Sequence, residues 1–513
     1  MALTLHIPAL KDKPIIIADT HPQRILQSLA HIHFENPLDI ASHLHIELEI
    51  LNRQKISPSQ RLLALETYRP IIISTAHILA EEYINANLPL HDKAKLAAAA
   101  TETLWLELGF GYKLALIDLQ NQLIKLGTEK NSVLAILRAM HAIAEHAMVY
   151  YQIYIPPPKH IWSDLHQLYF CAVQLNIQHA EIDSTAELSI SIENTYKHAL
   201  LMSLADPLHL LQQNIRLVAE YLLYQVQAAQ ISAVEPLSDT AGIFIISLKS
   251  NEPPVAYSKY KTAPDESSDI LLKTMDLVRN IHTHLNSLHH NRLPADGSIP
   301  ADASRNDYID LLTYLIKHWG LTFKRIFNRS QKNGEIELVA GIAAIHSMLD
   351  GQAKDAYAES LEVHAQNMPS RWQILNISPT GMSIRRHPTA DKNIKIGGLL
   401  SVKTKDDANW SLAVVRWASC GTKERLDIGV QLIAPYAKPG MAKIDNREND
   451  EMILLLPEIV ATKQIATLIL PKGTFEPARQ LTVISNNQYQ RVLLTSLIER
   501  AQYFERVQYS IIN

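Results

Sequence analysis

Apolar residues are spaced differently at the two ends of this chain, and that difference sets the class of fold. From about Pro58 to Val234 they recur at helical intervals, as in Gln60-Arg-Leu-Leu-Ala-Leu-Glu-Thr-Tyr and Lys93-Ala-Lys-Leu-Ala-Ala-Ala-Ala-Thr-Glu-Thr-Leu-Trp-Leu. From Trp372 onward the period is two: Trp372-Gln-Ile-Leu-Asn-Ile-Ser, Leu399-Leu-Ser-Val-Lys, Ser411-Leu-Ala-Val-Val-Arg-Trp and Leu426-Asp-Ile-Gly-Val-Gln-Leu-Ile. The first pattern buries a helix stripe and the second one face of a strand, so the chain is read as multidomain α + β. Its 513 residues exceed what one core organises, which points the same way.

Within the helical half, breaks fall at Asn87-Leu-Pro-Leu-His-Asp, Pro156-Pro-Pro-Lys-His and Asp206-Pro. Short breaks between long helices predict stacked helical hairpins, a scaffold resembling tetratricopeptide repeats without a clean 34-residue period. Around Gly242-Ile-Phe-Ile-Ile-Ser-Leu-Lys-Ser-Asn-Glu-Pro-Pro-Val-Ala-Tyr, β-branched alternation with a turn cluster predicts a hairpin, followed by a helix over about Asp269 to Leu288. Residues 291–307 are rich in turn formers and read as a linker, and Tyr308 to Trp319 as one more amphipathic helix. Ile453 to Ile512 continues in strand style, as a second small β domain or an extension of the preceding barrel or sandwich.

Composition narrows the function. Hydrophobic residues make up 47% and charged residues 19%, enough to build several cores. A net charge of −4 supplies no basic field for DNA, RNA or an anionic membrane, so an anionic ligand must be held by local arginines. The two cysteines, Cys171 and Cys420, lie in different predicted domains, which suits a reducing compartment. The N-terminal residues lack a signal-peptide pattern, and no segment offers about 18 uninterrupted apolar residues, so a cytoplasmic protein without membrane insertion is expected.

The strongest motif is Asn376-Ile-Ser-Pro-Thr-Gly381, of the form Asn-x-Ser-x-x-Gly. Asn brings amide donors and an acceptor, Ser a hydroxyl, and Gly a backbone open to close approach, a set suited to the edge of a planar base. A generic strand-turn-strand has the same look. Val414-Val-Arg-Trp and Ile428-Gly-Val-Gln-Leu follow as later strands, and Arg325-Ile-Phe-Asn-Arg329 stands upstream, just before a predicted strand Glu335-Ile-Glu-Leu-Val-Ala. Alone, the arginine pair reads as a solvated helix face.

Together these elements over roughly 320–437 resemble the PilZ domain family, which pairs Arg-x-x-x-Arg with (Asp/Asn)-x-Ser-x-x-Gly. The chain is also similar to a group of β-proteobacterial PilZ proteins with a helical front and a β tail. The resemblance implies a cyclic di-GMP receptor and not an enzyme. In it, Arg325 and Arg329 would wrap the dinucleotide, forking onto phosphates and stacking on bases, while Asn376, Ser378 and Gly381 close the other side. No cofactor is expected besides that ligand, and a protein partner is expected to meet the helical region.

The expected organisation is an all-α helical-hairpin domain at 1–238, a small α+β segment at 239–290, a linker at 291–307, a PilZ-like antiparallel β-barrel at 308–440 with a helical insertion near 344–368, and a β segment at 451–513. The chain departs from the family in one respect: Arg329 and Asn376 are 47 positions apart, with helix-like Ala344-Ile-His-Ser-Met-Leu and Asp355 to His364 between them. A scaffold that binds only proteins is therefore the alternative reading.

A third reading is a hydrolase in the helical half, which would need converging His and Asp. His91-Asp92 is compared with His-Asp metal sites and read instead as a helix start with Asp92 as the N-cap. The 23 histidines, including His141, His146, His282, His284, His289 and His290, form no complete zinc pattern. Walker A, Gly-rich dinucleotide and Gly-x-Ser-x-Gly sequences are absent.

Overall fold

The computed structural model describes residues 3–11, 15–30, 36–84, 86–122, 129–182, 190–320, 329–351, 368–387, 394–421, 425–444, 450–459 and 465–512, with the side chains of 332 and 333 left aside. The chain divides into two compact units, one comprising 1–86 and 90–324, the other 87–89 and 325–513.

Among the described residues the first unit begins with eight α-helices: α1 Pro22–Ala30, α2 Pro37–Asn52, α3 Pro58–Tyr83, α4 Asp92–Gln120, α5 Glu129–Gln152, α6 Lys159–Gln174, α7 Ile192–Leu204 and α8 Gln212–Gln225. Their starts are encoded locally. Asn36 and Ser57 accept from the first-turn amides of α2 and α3, each followed by proline at the first helical position. Ser191 caps α7 in the same way. At α4 the cap is His91, whose Nδ1 accepts from the Ala94 amide at 3.3 Å, and Asp92 is the first helical residue. The expected Asp92 cap is thus displaced by one position, because an imidazole nitrogen can accept as well as a carboxylate can.

Helix α4 lies against α2, α3 and α5 and is buried around much of its circumference. Close approach is permitted by Gly109 and Gly111, where an added Cβ would stand 3.6 Å from Ala142 Cβ and 2.6 Å from Leu65 Cδ2. Helix α5 is long and apolar enough to cross a membrane, but 67% of that stretch is buried within the unit, the signature of a core helix.

A four-stranded antiparallel sheet follows in the same unit, β1 Gln230–Ala233, β2 Ile243–Ser247, β3 Val255–Ala256 and β4 Asp269–Lys273, in the order β1-β4-β2-β3. The predicted hairpin is β2 and β3. Two segments differ from expectation. Gln230–Ala233, inside the stretch read as all-α, pairs as an edge strand. Asp269–Lys273, read as the start of a helix, is one of the two inner strands, and the helix α9 starts only at Met275, ending at His289. Helix α10, Arg305–Gly320, completes the unit. The segment read as a linker is anchored: Ser298 and Ile299 are each 3% exposed, and Asp296 accepts from Gln225 at 2.5 Å.

The second unit holds two closed antiparallel barrels. The first comprises β5 Ser330–Ala340, β6 Ser370–Ser378, β7 Gly381–Arg386, β8 Leu399–Thr404, β9 Ser411–Cys420 and β10 Leu426–Ala434, closed in the order β10-β7-β6-β5-β8-β9. Between β5 and β6 lies α11, Ile342–Leu349, entered through Gly341 at φ +90°. This is the helix expected near 344; the helix-like 355–364 lies outside the described residues. The second barrel comprises β11 Lys438–Lys443, β12 Glu451–Leu456, β13 Thr467–Pro471, β14 Gln480–Ser485, β15 Gln488–Arg500 and β16 Phe504–Ile511, closed in the order β11-β12-β13-β16-β15-β14. The C-terminal residues therefore form a barrel of their own, begun by β11.

The two barrels share a core. Val339, Leu399, Leu412, Val414 and Ile433 of the first meet Leu454, Leu456, Ile469 and Phe504 of the second around Ala344 and Ile345 of α11. His346 on α11 shares a 3.0 Å hydrogen bond with the Gly440 carbonyl.

Candidate functional site

The β6–β7 hairpin carries the Asn-x-Ser-x-x-Gly segment. Ser378 pairs with Gly381 across the two-residue turn, and its Oγ donates to the Gly381 carbonyl at 3.0 Å. The Thr380 carbonyl accepts from the Leu432 amide at 3.0 Å, tying the turn to β10. A Cβ on Gly381 would stand 2.2 Å from the Val430 carbonyl oxygen, so glycine is required there by the neighbouring strand and not by a positive φ.

A bulge between Ile374 and Asn376 alters the register just before the motif. Asn376 pairs with Ser383 on one side and Gln331 on the other. Its Oδ1 is buried and receives no hydrogen bond among the described residues. An amide oxygen in that condition is an acceptor held ready for an incoming donor.

Pairing of β5 with β6 brings Arg329 to this hairpin despite the sequence separation. Ser330 lies opposite Ile377 and Gln331 opposite Asn376, while at the far end Leu338 lies opposite Ser370. The insertion therefore leaves the barrel from the other end of the two strands, about 25 Å away at the usual rise per residue. Arg329 is exposed and lines one open depression with Ser330, Ile377, Ser378 and Pro379. The structure thus gathers Arg329, Asn376, Ser378 and Gly381; Arg325 lies outside the described residues.

Further residues that the motif did not point to share this outer face. Gln331, Asn376, Ser383, Gly429 and Trp417 are successive cross-strand partners on β5, β6, β7, β10 and β9. One position along, Ile384, Ile428 and Ala418 form the buried inner row. Beside the outer row, Arg385 forks onto Asp427 at 2.7 and 3.0 Å, and Arg425 reaches the same carboxylate at 2.6 Å. Burial would raise the Asp427 carboxyl, but hydrogen bonds from both guanidiniums hold it below its usual range. Arg416 donates to Gln431 Oε1 at 2.8 Å and pairs with Glu499 at 2.7 Å. The signal for Arg385 was its place two residues beyond Ser383 on the same strand face, legible once the register is known.

The helical unit offers weaker candidates. Among the described residues no group of three or more His, Cys, Asp or Glu is placed to hold a metal. His146 faces Glu102 at 3.4 Å, His284 bonds Tyr221 at 2.9 Å, His141 stands edge-on to Trp105, and His290 bonds the Asn286 carbonyl. His146, His160, Lys113 and Asp164 converge on a cavity of about 10 Å³, room for one water and not for a substrate.

Comparison with known proteins divides the chain into three parts, the middle one taking in β2–β4, α9 and α10 of the first unit together with the first barrel. Models of the N-terminal domain, the middle PilZ domain and the C-terminal β-barrel domain of the cyclic-di-GMP receptor FimW match residues 23–236, 243–367 with 352–439, and 443–512. The cyclic-di-GMP receptor FimW of Pseudomonas aeruginosa is 24% identical over 576 aligned residues, covering 99% of this chain and 93% of the relative. Among solved structures, the Bacillus thuringiensis insecticidal crystal protein Cry7Ca1 aligns over 96% of this chain and 97% of its own, at 9% identity and a TM-score of 0.17, which carries no structural argument. Domain by domain and in the same order, the chain belongs to the FimW family of PilZ-containing cyclic-di-GMP receptors.

Proposed function

We propose that this chain is a cytoplasmic cyclic di-GMP receptor without enzymatic activity, binding the dinucleotide on the outer face of its first barrel and relaying that state to a protein partner through the helical unit. The observation that carries the reading is the register that sets Arg329 beside the Asn376–Gly381 hairpin. Arg329 and Arg325 would fork onto phosphate oxygens, Asn376 Oδ1 would accept from a guanine N–H, and Ser378 and Gly381 would shape the turn beneath. A protein-only scaffold is the weaker reading, since the long insertion that motivated it does not separate Arg329 from the hairpin. Relay to a partner requires that the partner distinguish the ligand-bound arrangement from the free one.

Calorimetric titration with cyclic di-GMP tests the binding claim. Saturable binding by the wild type, lost in folded Arg329→Ala and in the Arg325→Ala, Arg329→Ala double variant, is the expected result. A wild type that takes up no ligand would leave the barrel a protein-contact module.

A further inference from the structure

We propose that the first unit carries a second ligand site, a pocket between α4, α6 and one end of the β2–β4 pair, which takes a straight-chain monocarboxylate of about eight or nine carbons. The inference goes beyond the dinucleotide reading and does not depend on it.

The pocket is assembled from segments far apart in sequence and encloses about 230 Å³. Leu119 stands at the end of α4, Phe170 and Cys171 on the last turns of α6 with Leu175 just beyond, Leu248 follows β2, and Leu3 comes from the N-terminal segment. The core does not use these apolar side chains up: Leu175 is 41% exposed, and Phe170 and Leu248 are half-buried. An apolar cavity of about 150 Å³ holds benzene, so by proportion this one has room for about nine carbon atoms. Main-chain groups in its walls are already paired. The Leu248 amide donates to the Ser268 carbonyl at 2.9 Å, and Thr4, beside Leu3, exchanges hydrogen bonds of 2.8 and 3.0 Å with the Gln167 side chain. An extended peptide would find no strand edge to pair with, because β2 and β4 are inner strands with neighbours on both sides. The pocket therefore suits a small molecule gripped by side chains better than a peptide segment.

Charge decides the head group. Among the described residues lining the pocket, Lys249 is the one charged side chain. It is 59% exposed, so its ammonium stands at the mouth, and it reaches Asp265 Oδ2 and Ser267 Oγ only at 3.3 Å each. Asp265 is held within its own loop, accepting from the Ser267 amide at 3.0 Å and from the Ser267 and Ser268 hydroxyls at 2.7 and 2.8 Å. An ammonium has three donors, which leaves one for a carboxylate at the mouth. In the buried wall, the Cys171 thiol accepts from Gln120 Nε2 at 2.8 Å, and burial pushes its pKa up, so it stays protonated and presents a neutral surface to a hydrocarbon tail.

Calorimetric titration of octanoate into the full chain tests the site, and one saturable event is the expected result. Affinity should climb about fourfold per methylene from hexanoate to octanoate and level off by decanoate, while butanoate, four methylenes shorter than octanoate, should bind about a hundredfold more weakly. Lys249→Gln should weaken octanoate about threefold, as suits an exposed cation, and leave octan-1-ol unchanged. Cys171→Phe should abolish uptake by filling the pocket. Should that variant fail to fold by circular dichroism, Cys420→Ser, in which Cys171 is the remaining thiol, supplies the same reading without it: octanoate should slow modification of Cys171 by a methanethiosulfonate reagent. No saturable uptake by the wild type would overturn the site. Uptake that survives in folded Cys171→Phe, or modification of Cys171 at an unchanged rate, would overturn it equally. Octylamine bound as tightly as octanoate, with Lys249→Gln without effect, would overturn the carboxylate and the proposal with it.

Discussion

Lys113 and Asp164 form a 2.7 Å ion pair inside the helical unit, with side chains 2% and 1% exposed. The pair also fastens the N-terminal segment, since Asp164 accepts from the His6 amide at 3.0 Å and Lys113 donates to the His6 carbonyl at 2.5 Å. Burial lowers the Lys113 pKa against the pull of Asp164, so removing the carboxylate leaves a charge with little compensation. Asp164→Ala should destabilise the unit by about 3–5 kcal/mol, read from urea unfolding followed at the helical dichroism band. Replacing both partners, as in Lys113→Met with Asp164→Leu, should recover a good part of that loss; equal losses in the single and double variants would contradict the ion-pair account.

Acid should unfold the helical unit before the barrels. Burial lowers the pKa of His6, His198, His284 and His318, and takes His160 and His166 down to about 4. A histidine with a depressed folded pKa binds its proton more readily when unfolded, so its contribution is intact above the unfolded value of about 6.5 and is lost as pH falls toward 4. For the fully buried His166 the loss amounts to about 3 kcal/mol. Glu145 and Asp118 work the other way, burial having raised the Glu145 carboxyl to about 7 and the Asp118 carboxyl above its usual range, but among the described residues these two stand against six imidazoles. In the first barrel Asp427 has a lowered pKa, so its contribution persists until pH drops below the ordinary carboxylate range. Helical dichroism should therefore decline between about pH 6.5 and 4 while exchange protection of β5–β10 amides holds. Coincident loss of both would count against this division.

Much of this architecture was legible from apolar spacing because a period is a local property. The hairpin at β2 and β3, the helix α10 and the alternating strands of the first barrel follow from it directly. Asp269-Ile-Leu-Leu-Lys was misread because five residues with a short apolar run suit a strand or a first helical turn equally, and only pairing with both β1 and β2 decides between them. Closure of the second barrel depends on β14 reaching back to β11, a non-local contact that no spacing encodes. At the site, Asn376, Ser378 and Gly381 were found as a motif, yet the reason for Gly381 lay in the Val430 carbonyl. Trp417 was seen only as a strand residue, although the glycine in Ile428-Gly429-Val430 was a hint of close approach.

Gly381→Ala separates fold from ligand chemistry at the hairpin. The new methyl would press on the Val430 carbonyl and on the Gln431 Cα, 3.2 Å away, both backbone groups with little room to move. Overpacking of this kind costs about 1–3 kcal/mol, and β10 would have to shift away from β7. The melting temperature of the second unit should fall by several degrees, with any weakening of ligand uptake in proportion. A variant with unchanged melting but abolished uptake would instead show that this glycine faces the ligand.

The shared core predicts that the two barrels of the second unit unfold together. Phe504, 1% exposed, belongs by sequence to the second barrel, yet it joins a cluster with Val339, Leu399 and Leu412 of the first through Ile345 of α11. Phe504→Ala should cost about 3–5 kcal/mol. Because the cavity would open on both sides of α11, exchange protection should fall in β5 and β8 as well as in β13 and β16. Ending the chain after Pro435 should be more severe, since it would bare Val339, Leu412, Val414 and Ile433 to water at once, a patch that favours aggregation. Calorimetry on the intact protein should accordingly show one transition for both barrels. Retained protection in β5–β10 when β11–β16 is destabilised would mean that the first barrel stands alone, and that α11 closes it without help from the second.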